Sequence, residues 1–457
     1  MTTTIDRAEE EKITDSSPKE MGREESLTID RIKAKQITVG VVGLGYVGFP
    51  LSLAFSEAGV QVIGFDIDES KIQSIEQGKS YIRHIQCDRL HEVQKASKLE
   101  VTTNFQQVAN CDVVIICVPT PLDHHLEPDL RFVVETCKVI APHLKPNTLV
   151  SLESTTWPGT TDEIVKTILE KEGGFTVGKD LFLCFSPERE DPGNKSYGTK
   201  NIPKLIGGTD PKSLELATAL YSLALDKVVP LSSTKVAELA KLFENIFRSV
   251  NIALVNELKV ICEPMDIDVW EVIEAAATKP FGFMPFWPGP GLGGHCIPID
   301  PFYLTWKAKE YGISTRFIEL AGEINRQMPK YVVGKVQDCL NVFEKALKGS
   351  RILILGLAYK SDIDDMRESP SLELIKILEE KGATVDYHDP LLPEIGKTRE
   401  YSHLAGRKHQ ELSKNYDCFL IATKHSCFSV EEILSFGIPV VDTRNFLPRR
   451  NELVYPA

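Results

Sequence analysis

The sequence predicts an α/β chain with two doubly wound, parallel-sheet domains joined by a long central helix. Three observations carry that expectation. Short apolar runs alternate with helical stretches toward both ends of the chain. A glycine-rich turn follows the first apolar run, and one apolar-periodic stretch near the middle is longer than a crossover helix requires.

Taken in order, residues 1–35 are polar and charged and read as a flexible arm, with one short helix near 27–35. Ile37-Thr-Val-Gly-Val-Val is a buried strand. It leads through Gly43-Leu-Gly-Tyr-Val-Gly48 into a helix over 50–58. Val60-Gln-Val-Ile-Gly-Phe, ending at Asp66, is the second strand. Asp112-Val-Val-Ile-Ile-Cys-Val, Leu149-Val-Ser-Leu-Glu and Leu181-Phe-Leu-Cys-Phe are three more. This first domain spans 36–230. A central helical domain, 231–330, begins with one helix from Ser233 to about Cys262. In it Val236, Leu239, Ala240, Phe243, Ile246, Phe247, Val250 and Leu254 recur at spacings of three and four. The stripe reads as core, with a dimer surface as the other use of so long a spine. The third domain, 331–457, has strands at Arg351-Ile-Leu-Ile-Leu-Gly, Ala383-Thr-Val-Asp-Tyr-His, Asp417-Cys-Phe-Leu-Ile-Ala-Thr and Pro439-Val-Val-Asp-Thr.

With 457 residues and 42% hydrophobic content, the chain has material for large buried cores. A net charge of -13 argues against nucleic acid and against an anionic membrane surface as partners. The ten cysteines form no C-x-x-C pair, and no apolar span is long enough for a membrane helix. A reducing cytoplasm is the expected home, and no metal site is expected.

Gly43-Leu-Gly-Tyr-Val-Gly48 sits between a strand and a helix, and the next strand ends in Asp66, 23 residues after Gly43. That context makes it a dinucleotide fingerprint of the Rossmann type. Gly43 permits the tight turn, Gly45 lets a pyrophosphate approach the helix N-terminus, and Gly48 lets helix and strand pack closely. Asp66 accepts ribose hydroxyls and repels a 2′-phosphate, which selects NAD. The expected cofactor contacts are Gly43, Gly45, Tyr46, Val47, Gly48, Asp66, Lys71, Thr120 and Thr155.

The run Pro288-Gly-Pro-Gly-Leu-Gly-Gly-His-Cys places Cys296 after a glycine-rich loop, with Asp300 four residues on. A helix opening near Pro298 would favour the thiolate of Cys296. The thiol is a candidate nucleophile, with a structural cysteine as the plainer reading. Asp300 is placed to orient it or to activate a water. Thr120, after one strand, and Glu153, at the end of another, face the same end of the sheet. Ser186-Pro-Glu-Arg-Glu-Asp-Pro-Gly reads as a substrate-rim loop. Lys241 and Asn245 share one helix face; spacing alone favours a solvated face, while an oxyanion-stabilising lysine is the functional alternative. In the third domain only the first fingerprint glycine, Gly356, remains. Lys360, Arg367 and Arg444 instead place cations at strand ends, suited to a nucleotide diphosphate unless they are ordinary surface charge.

These motifs occur in one order: Gly43–Gly48, Thr120, Glu153-Ser-Thr-Thr, Ser186-Pro-Glu, Ala237-Glu-Leu-Ala-Lys241, Gly293-Gly-His-Cys296 with Asp300, and Lys360 with Arg367. From about residue 36 to the end the chain resembles the UDP-glucose/GDP-mannose dehydrogenase family, with its UDP-N-acetylglucosamine 6-dehydrogenases as the nearest members. The resemblance implies an NAD-binding domain, a dimerising central helix and a UDP-sugar-binding domain. It implies Cys296 as nucleophile and Lys241 as oxyanion stabiliser. Asn245 and Asp300 support water and thiol, and Thr120 and Glu153 lie near the reacting carbon. Glu188, Arg189, Lys241, Asn245, Gly294, Lys360 and Arg444 become the expected substrate contacts, in a homodimer or larger homo-oligomer. One departure stands out. Many relatives carry an arginine before the cysteine that reaches the partner subunit, whereas here Thr278-Lys-Pro-Phe-Gly-Phe-Met-Pro-Phe-Trp287 holds only Lys279.

The implied reaction is a four-electron oxidation of the C6 alcohol of a UDP-N-acetylhexosamine, through a thioester, for surface polysaccharide synthesis. N-acetylmannosamine, N-acetylgalactosamine and glucose nucleotides are the alternative substrates. A two-electron hydroxy-acid-type dehydrogenase is a rival enzyme, and a non-catalytic nucleotide-sugar-binding regulator is a rival of another class.

Overall fold

The structure, a computed structural model, describes residues 26–457 except 83–84, 124–126, 190–193, 195, 295–296 and 399. Among the described residues the first sheet has eight strands. They are β1 (Thr38–Val42), β2 (Gln61–Phe65), β3 (Leu99–Thr102), β4 (Val113–Ile116), β5 (Leu149–Leu152), β6 (Phe182–Phe185), β7 (Lys204–Gly208) and β8 (Val228–Leu231). Their spatial order is β3-β2-β1-β4-β5-β6-β7-β8. Neighbours run parallel except β6 and β7, which pair antiparallel. The order reverses between β1 and β4, so a ligand crevice opens at their carboxyl ends.

Strands β1, β4, β5 and β6 read as continuous Val, Ile, Leu and Phe runs because both faces of the sheet are covered. One core cluster, with Val39, Val41, Leu53 and Phe55, fills one face; another, with Val114, Ile116, Leu183 and Phe185, fills the other. The second sheet comprises β9 (Arg351–Leu355), β10 (Thr384–His388), β11 (Cys418–Ile421), β12 (Val440–Asp442) and β13 (Val454–Pro456). It is parallel throughout, in the order β10-β9-β11-β12-β13, with its switch point between β9 and β11.

The short helix expected near 27–35 is present at Ile29–Lys33, capped by the Thr28 hydroxyl, with Ile32 fully buried. Three details differ from the sequence expectation. The dinucleotide helix starts at Gly48 rather than residue 50. The expected boundary at residue 331 falls inside a helix, Arg316–Val342, so the second α/β unit opens only at β9. Finally, β3, β7, β8 and β13 were not distinguishable in the sequence: all are three to five residues long, β3 and β13 each bury one residue, β7 opens on a lysine and closes on two glycines, and β8 has an interior proline.

The spine helix runs Thr234–Cys262, with the Ser233 hydroxyl accepting from Val236 N at 3.3 Å. Its extent matches the periodicity, and Ile246 and Val250 of the expected stripe do pack inward, but most of the stripe's large side chains face out. Val236, Leu239, Phe243, Phe247 and Leu254 are exposed, Phe243 to 64%, whereas Lys241 and Asn245 are buried with Ala237, Leu242 and Ile246. The physical reason is that the inward face carries polar side chains with buried partners, Glu238 on Gly159 and Thr161, Asn245 on Asp300 and Asn256 on Asn325. The first sheet, the helix Asp300–Lys309 and the helix Arg316–Val342 cover only one side. No described helix is long and apolar enough to cross a membrane.

The turn after β1 depends on close backbone approach. A Cβ on Gly48 would lie 2.0 Å from the Gly43 carbonyl oxygen. Gly48→Ala is therefore expected to lower stability by roughly 1–3 kcal/mol, the usual cost of forced overpacking, read as a lower thermal midpoint. An unchanged midpoint would show that the turn yields freely.

Candidate active site

The crevice of the first sheet begins at the fingerprint. Gly43 has φ +93°, and a Cβ there would meet the Cys117 carbonyl oxygen at 2.6 Å. A Cβ on Gly45 would meet nothing within 4 Å, so that glycine faces open space. No side chain caps the N-terminus of the helix Gly48–Glu57, so the positive end of its dipole is open to a ligand. At the end of β2, Asp66 accepts from Leu44 N at 2.8 Å and Asp68 N at 3.0 Å, and pairs with Lys71 Nζ at 2.8 Å. The open face at Gly45, the uncapped helix end and this carboxylate fit a dinucleotide. Gly43–Gly48 would hold the pyrophosphate and Asp66 the ribose.

The equivalent acid of the second sheet is used differently. Asp389 accepts from Leu357 N, Ala358 N and Leu391 N and lies 3.1 Å from His425 Nε2, with both side chains fully buried. Asp362 N donates to His425 Nδ1 at 3.0 Å, so the ring proton belongs on Nε2 and points at Asp389.

Beyond the fingerprint, the carboxyl ends of β5 and β6 and the amino end of the antiparallel β7 meet the spine in a chain of alternating charges. Glu153 Oε2 pairs with Lys204 Nζ at 2.5 Å, and Lys204 Nζ also reaches Glu188 Oε2 at 3.2 Å. Tyr221 OH donates to Glu153 Oε1 at 2.6 Å and lies 2.8 Å from Ser151 Oγ. Burial pushes the Glu153 carboxyl up to about 7 against the pull of Lys204. Burial also acts on Glu188, but Lys204, with Lys241, overbalances it and holds this carboxyl below the usual range. Burial opposes the charge of Lys204, yet the two carboxylates win and keep the ammonium protonated.

Lys241 continues the chain, acting on Glu188 from one side and on Asp300 from the other. Asn245 Nδ2 donates to Asp300 Oδ2 at 2.5 Å, and Arg248 donates to Asn245 Oδ1. Asp300 opens the helix Asp300–Lys309 and is fully enclosed. Burial raises its carboxyl to about 6 against Lys241, Asn245 and Arg248. The solvated-face reading of Lys241 and Asn245 is thus corrected: both point into the site.

His295 and Cys296 lie outside the described residues. The ends of their loop are well held. Gly289 N donates to Asn256 Oδ1 on the spine at 3.0 Å, and Gly294 N, at φ +81°, donates to the Arg367 carbonyl at 3.0 Å. The helix after the loop begins at Asp300, two residues later than expected, with 297–299 forming a turn. Cβ atoms on Gly289 and Gly293 would each come within 2.5 Å of a C-terminal-domain side chain, Arg444 and Tyr359. The loop therefore lies directly on the crevice of the second sheet.

The remaining expected residues divide clearly. Thr120 is buried, its carbonyl accepting from Tyr303 OH at 2.7 Å, and Thr155 is half-buried two residues past Glu153. Tyr46 and Val47 stand in the turn itself. Lys360 is half-buried after β9, and Arg444, after β12, donates Nε to the Ala422 carbonyl at 2.8 Å. Arg189 is anchored away from the crevice floor, paired with Glu244 of the spine at 2.6 Å and donating to Pro203 O at 2.7 Å. Arg367 pairs with Asp365 at 2.7 Å and lies 4.3 Å over the Tyr46 ring, bridging the two α/β units. Lys279 lies 5.0 Å over the exposed Phe281 ring. Sequence reasoning missed Lys204 and Tyr221. A lysine in the apolar run of β7 was the available signal, because a charge in a buried strand is costly unless paired.

Three family models match successive stretches of the chain. They describe the NAD-binding domain (37–225), the central domain (235–327) and the UDP-binding domain (353–449) of the UDP-glucose/GDP-mannose dehydrogenase family. A UDP-N-acetyl-D-glucosamine 6-dehydrogenase of Pseudomonas aeruginosa is 38% identical over 397 residues, 86% of this chain and 92% of that protein. Among solved structures, a UDP-D-ManNAc dehydrogenase from Pyrococcus horikoshii superposes with a TM-score of 0.82 at 32% identity, covering 92% of this chain and 99% of that one. An NDP-N-acetyl-D-galactosaminuronic acid dehydrogenase from Methanosarcina mazei reaches 0.75 at 28% identity, with 92% and 94% coverage.

If an ionised Asp300 is required for turnover, the acid limb of kcat/KM falls near pH 6. Arg248→Met removes a cation that favours the carboxylate, so the limb should move to higher pH by about one unit. A limb that stays in place would separate Asp300 from the pH dependence.

Proposed function

The chain belongs to the UDP-glucose/GDP-mannose dehydrogenase family and is an NAD-dependent nucleotide-sugar oxidoreductase; we propose that it oxidises the C6 alcohol of UDP-N-acetylglucosamine to the uronate, with two NAD consumed per sugar. The observation that supports this most is the Glu188–Lys241–Asp300–Asn245 cluster at the root of the loop that carries Cys296. NAD bound at the fingerprint supplies the acceptor for the two hydrides that leave C6. Cys296 adds its sulfur to the aldehyde carbon and so keeps the half-oxidised sugar from escaping. After the second oxidation the carbon is a thioester. Water adds to it, the thiolate leaves, and the water oxygen enters the product carboxylate. Lys241 offers a buried cation to the oxyanion formed at each addition. Asn245 fixes Asp300, which orients the thiol or takes a proton from the water. Thr120 and Glu153 close the sheet side of the site, Glu153 through its tie to Lys204.

The N-acetylglucosamine assignment follows the Pseudomonas relative. The Pyrococcus neighbour supports N-acetylmannosamine as the second reading. Glu188, Lys241, Asn245, Gly294, Lys360 and Arg444 are the proposed substrate contacts, and Arg189 contributes by anchoring its loop. All nine described cysteines are free, which suits action in a reducing cytoplasm. The exposed apolar face of the spine, continued by Phe281 and Met284, supports a homodimer built on that helix.

NADH yield and product mass across UDP-N-acetylglucosamine, its manno and galacto isomers, UDP-glucose and GDP-mannose test the substrate. Two NADH per uronate are expected with the N-acetylglucosamine nucleotide, and one NADH per product would sink the thioester route. Cys296→Ser should form no acid, and normal acid formation by that variant would do the same. Leu239→Glu combined with Phe243→Glu should convert a dimer to monomers in light scattering; an unaltered mass would remove the spine from the interface.

A further inference from the structure

One charged group in the centre of the molecule has no use in the chemistry above. Lys259 lies on the spine, three residues after the Asn256 that holds Gly289. Its side chain is buried, and its Nζ makes no hydrogen bond to any described residue. The ammonium lies 5.0 Å over the Tyr331 ring. Desolvation depresses its basicity most, and Arg444 and Lys335 push in the same direction, bringing it to about 7.

The acids nearby do not answer this charge. A cavity of about 420 Å³ beside Lys259 is lined by Glu263, Asp266, Asp268, Asp338, Lys335 and Arg449, among others. Glu263 pairs with Lys335 and accepts from Tyr331 OH, and Asp268 pairs with Arg449 at 2.7 Å. Asp442, the acid that acts on Arg444, spends its oxygens on the N–H groups of Arg444, Phe446 and Leu447. Arg444 and Lys259 thus act on each other as like charges, and the Lys259 ammonium has no carboxylate partner among the described residues. An unpaired buried ammonium costs several kcal/mol in general, and a polyanionic ligand reverses that cost.

We propose that Lys259 is a substrate-binding residue that shares the diphosphate of the nucleotide sugar with Arg444. The inference rests on the nucleotide-sugar reading of the crevice and adds a residue to it. Arg444 Nη1 stands against Gly289, Asn256 ties that same glycine to the spine one turn before Lys259, and Arg444 is near enough to lower the basicity of Lys259; we place the diphosphate where both charges act on it. The charge sequence has a signature. With the crevice free at pH 8, Lys259 is largely neutral. A diphosphate beside it favours the ammonium, so binding takes up a proton, and affinity falls as pH rises above about 7.

The test is calorimetric titration of the full-length protein with UDP at pH 8, in two buffers of different ionisation enthalpy, for the natural chain and for Lys259→Met. Methionine keeps the length of the side chain and removes a buried charge, so the variant should fold with an equal or higher thermal midpoint. UDP affinity should fall roughly ten- to hundredfold, the range for one charge-assisted hydrogen bond. Proton uptake should disappear, KM for the UDP-sugar should rise, and kcat should stay near the natural value. A folded Lys259→Met protein with unchanged UDP affinity and unchanged proton uptake overturns the assignment. If the natural chain itself binds no UDP, the reading of the crevice fails, and the role of Lys259 fails with it.

Discussion

The site is organised by one constraint: carboxylates taken out of water must have cations beside them. From β5 to the helix opened by Asp300 the order is Glu153, Lys204, Glu188, Lys241, Asp300, each acting on the next. Removal of Lys204 takes the one paired cation from Glu153, which is far costlier than loss of an exposed pair. The chain also sets the three carboxyl groups apart. Glu153 is raised to about 7 and Asp300 to about 6, while Glu188 is held low. Acids of one chemical type thereby acquire different roles from their surroundings.

The glycine-rich loop joins this chain to the rest of the molecule. Its first part is tied to the spine through Asn256, its later part to the Arg367 carbonyl, and its exit to Asn245 through Asp300. Glycines are required because Arg444 and Tyr359 occupy the space where side chains would project. The loop bearing the thiol is thus held by the central helix and the C-terminal sheet together.

Much of this was legible in the sequence, for identifiable reasons. The fingerprint fixed its own geometry, since each of Gly43, Gly45 and Gly48 has a separate steric reason, and Asp66 ends its strand where the spacing placed it. The extent of the spine followed from periodicity and the Ser233 cap. Its orientation did not, because the buried partners of its polar residues lie 55 to 79 residues away in the chain. Lys241 looked solvated and Phe243 looked buried, and both were the reverse. Lys204 escaped notice because β7 is short and joins the sheet antiparallel to β6, outside the alternating strand–helix pattern. Arg367 looked like a ligand cation because no pattern in the chain showed that Tyr46 lies beneath it.

That stacking carries a mechanical consequence. The guanidinium of Arg367 belongs to one α/β unit and the Tyr46 ring to the phosphate turn of the other. Separating the units strips this contact, at about 0.5–2 kcal/mol, a small multiple of the thermal energy. The contact is one of several that join the units, beside those of the glycine-rich loop with Arg444, Tyr359 and the Arg367 carbonyl. Because its ring half sits in the turn that a dinucleotide must enter, the two α/β units meet at the phosphate turn itself.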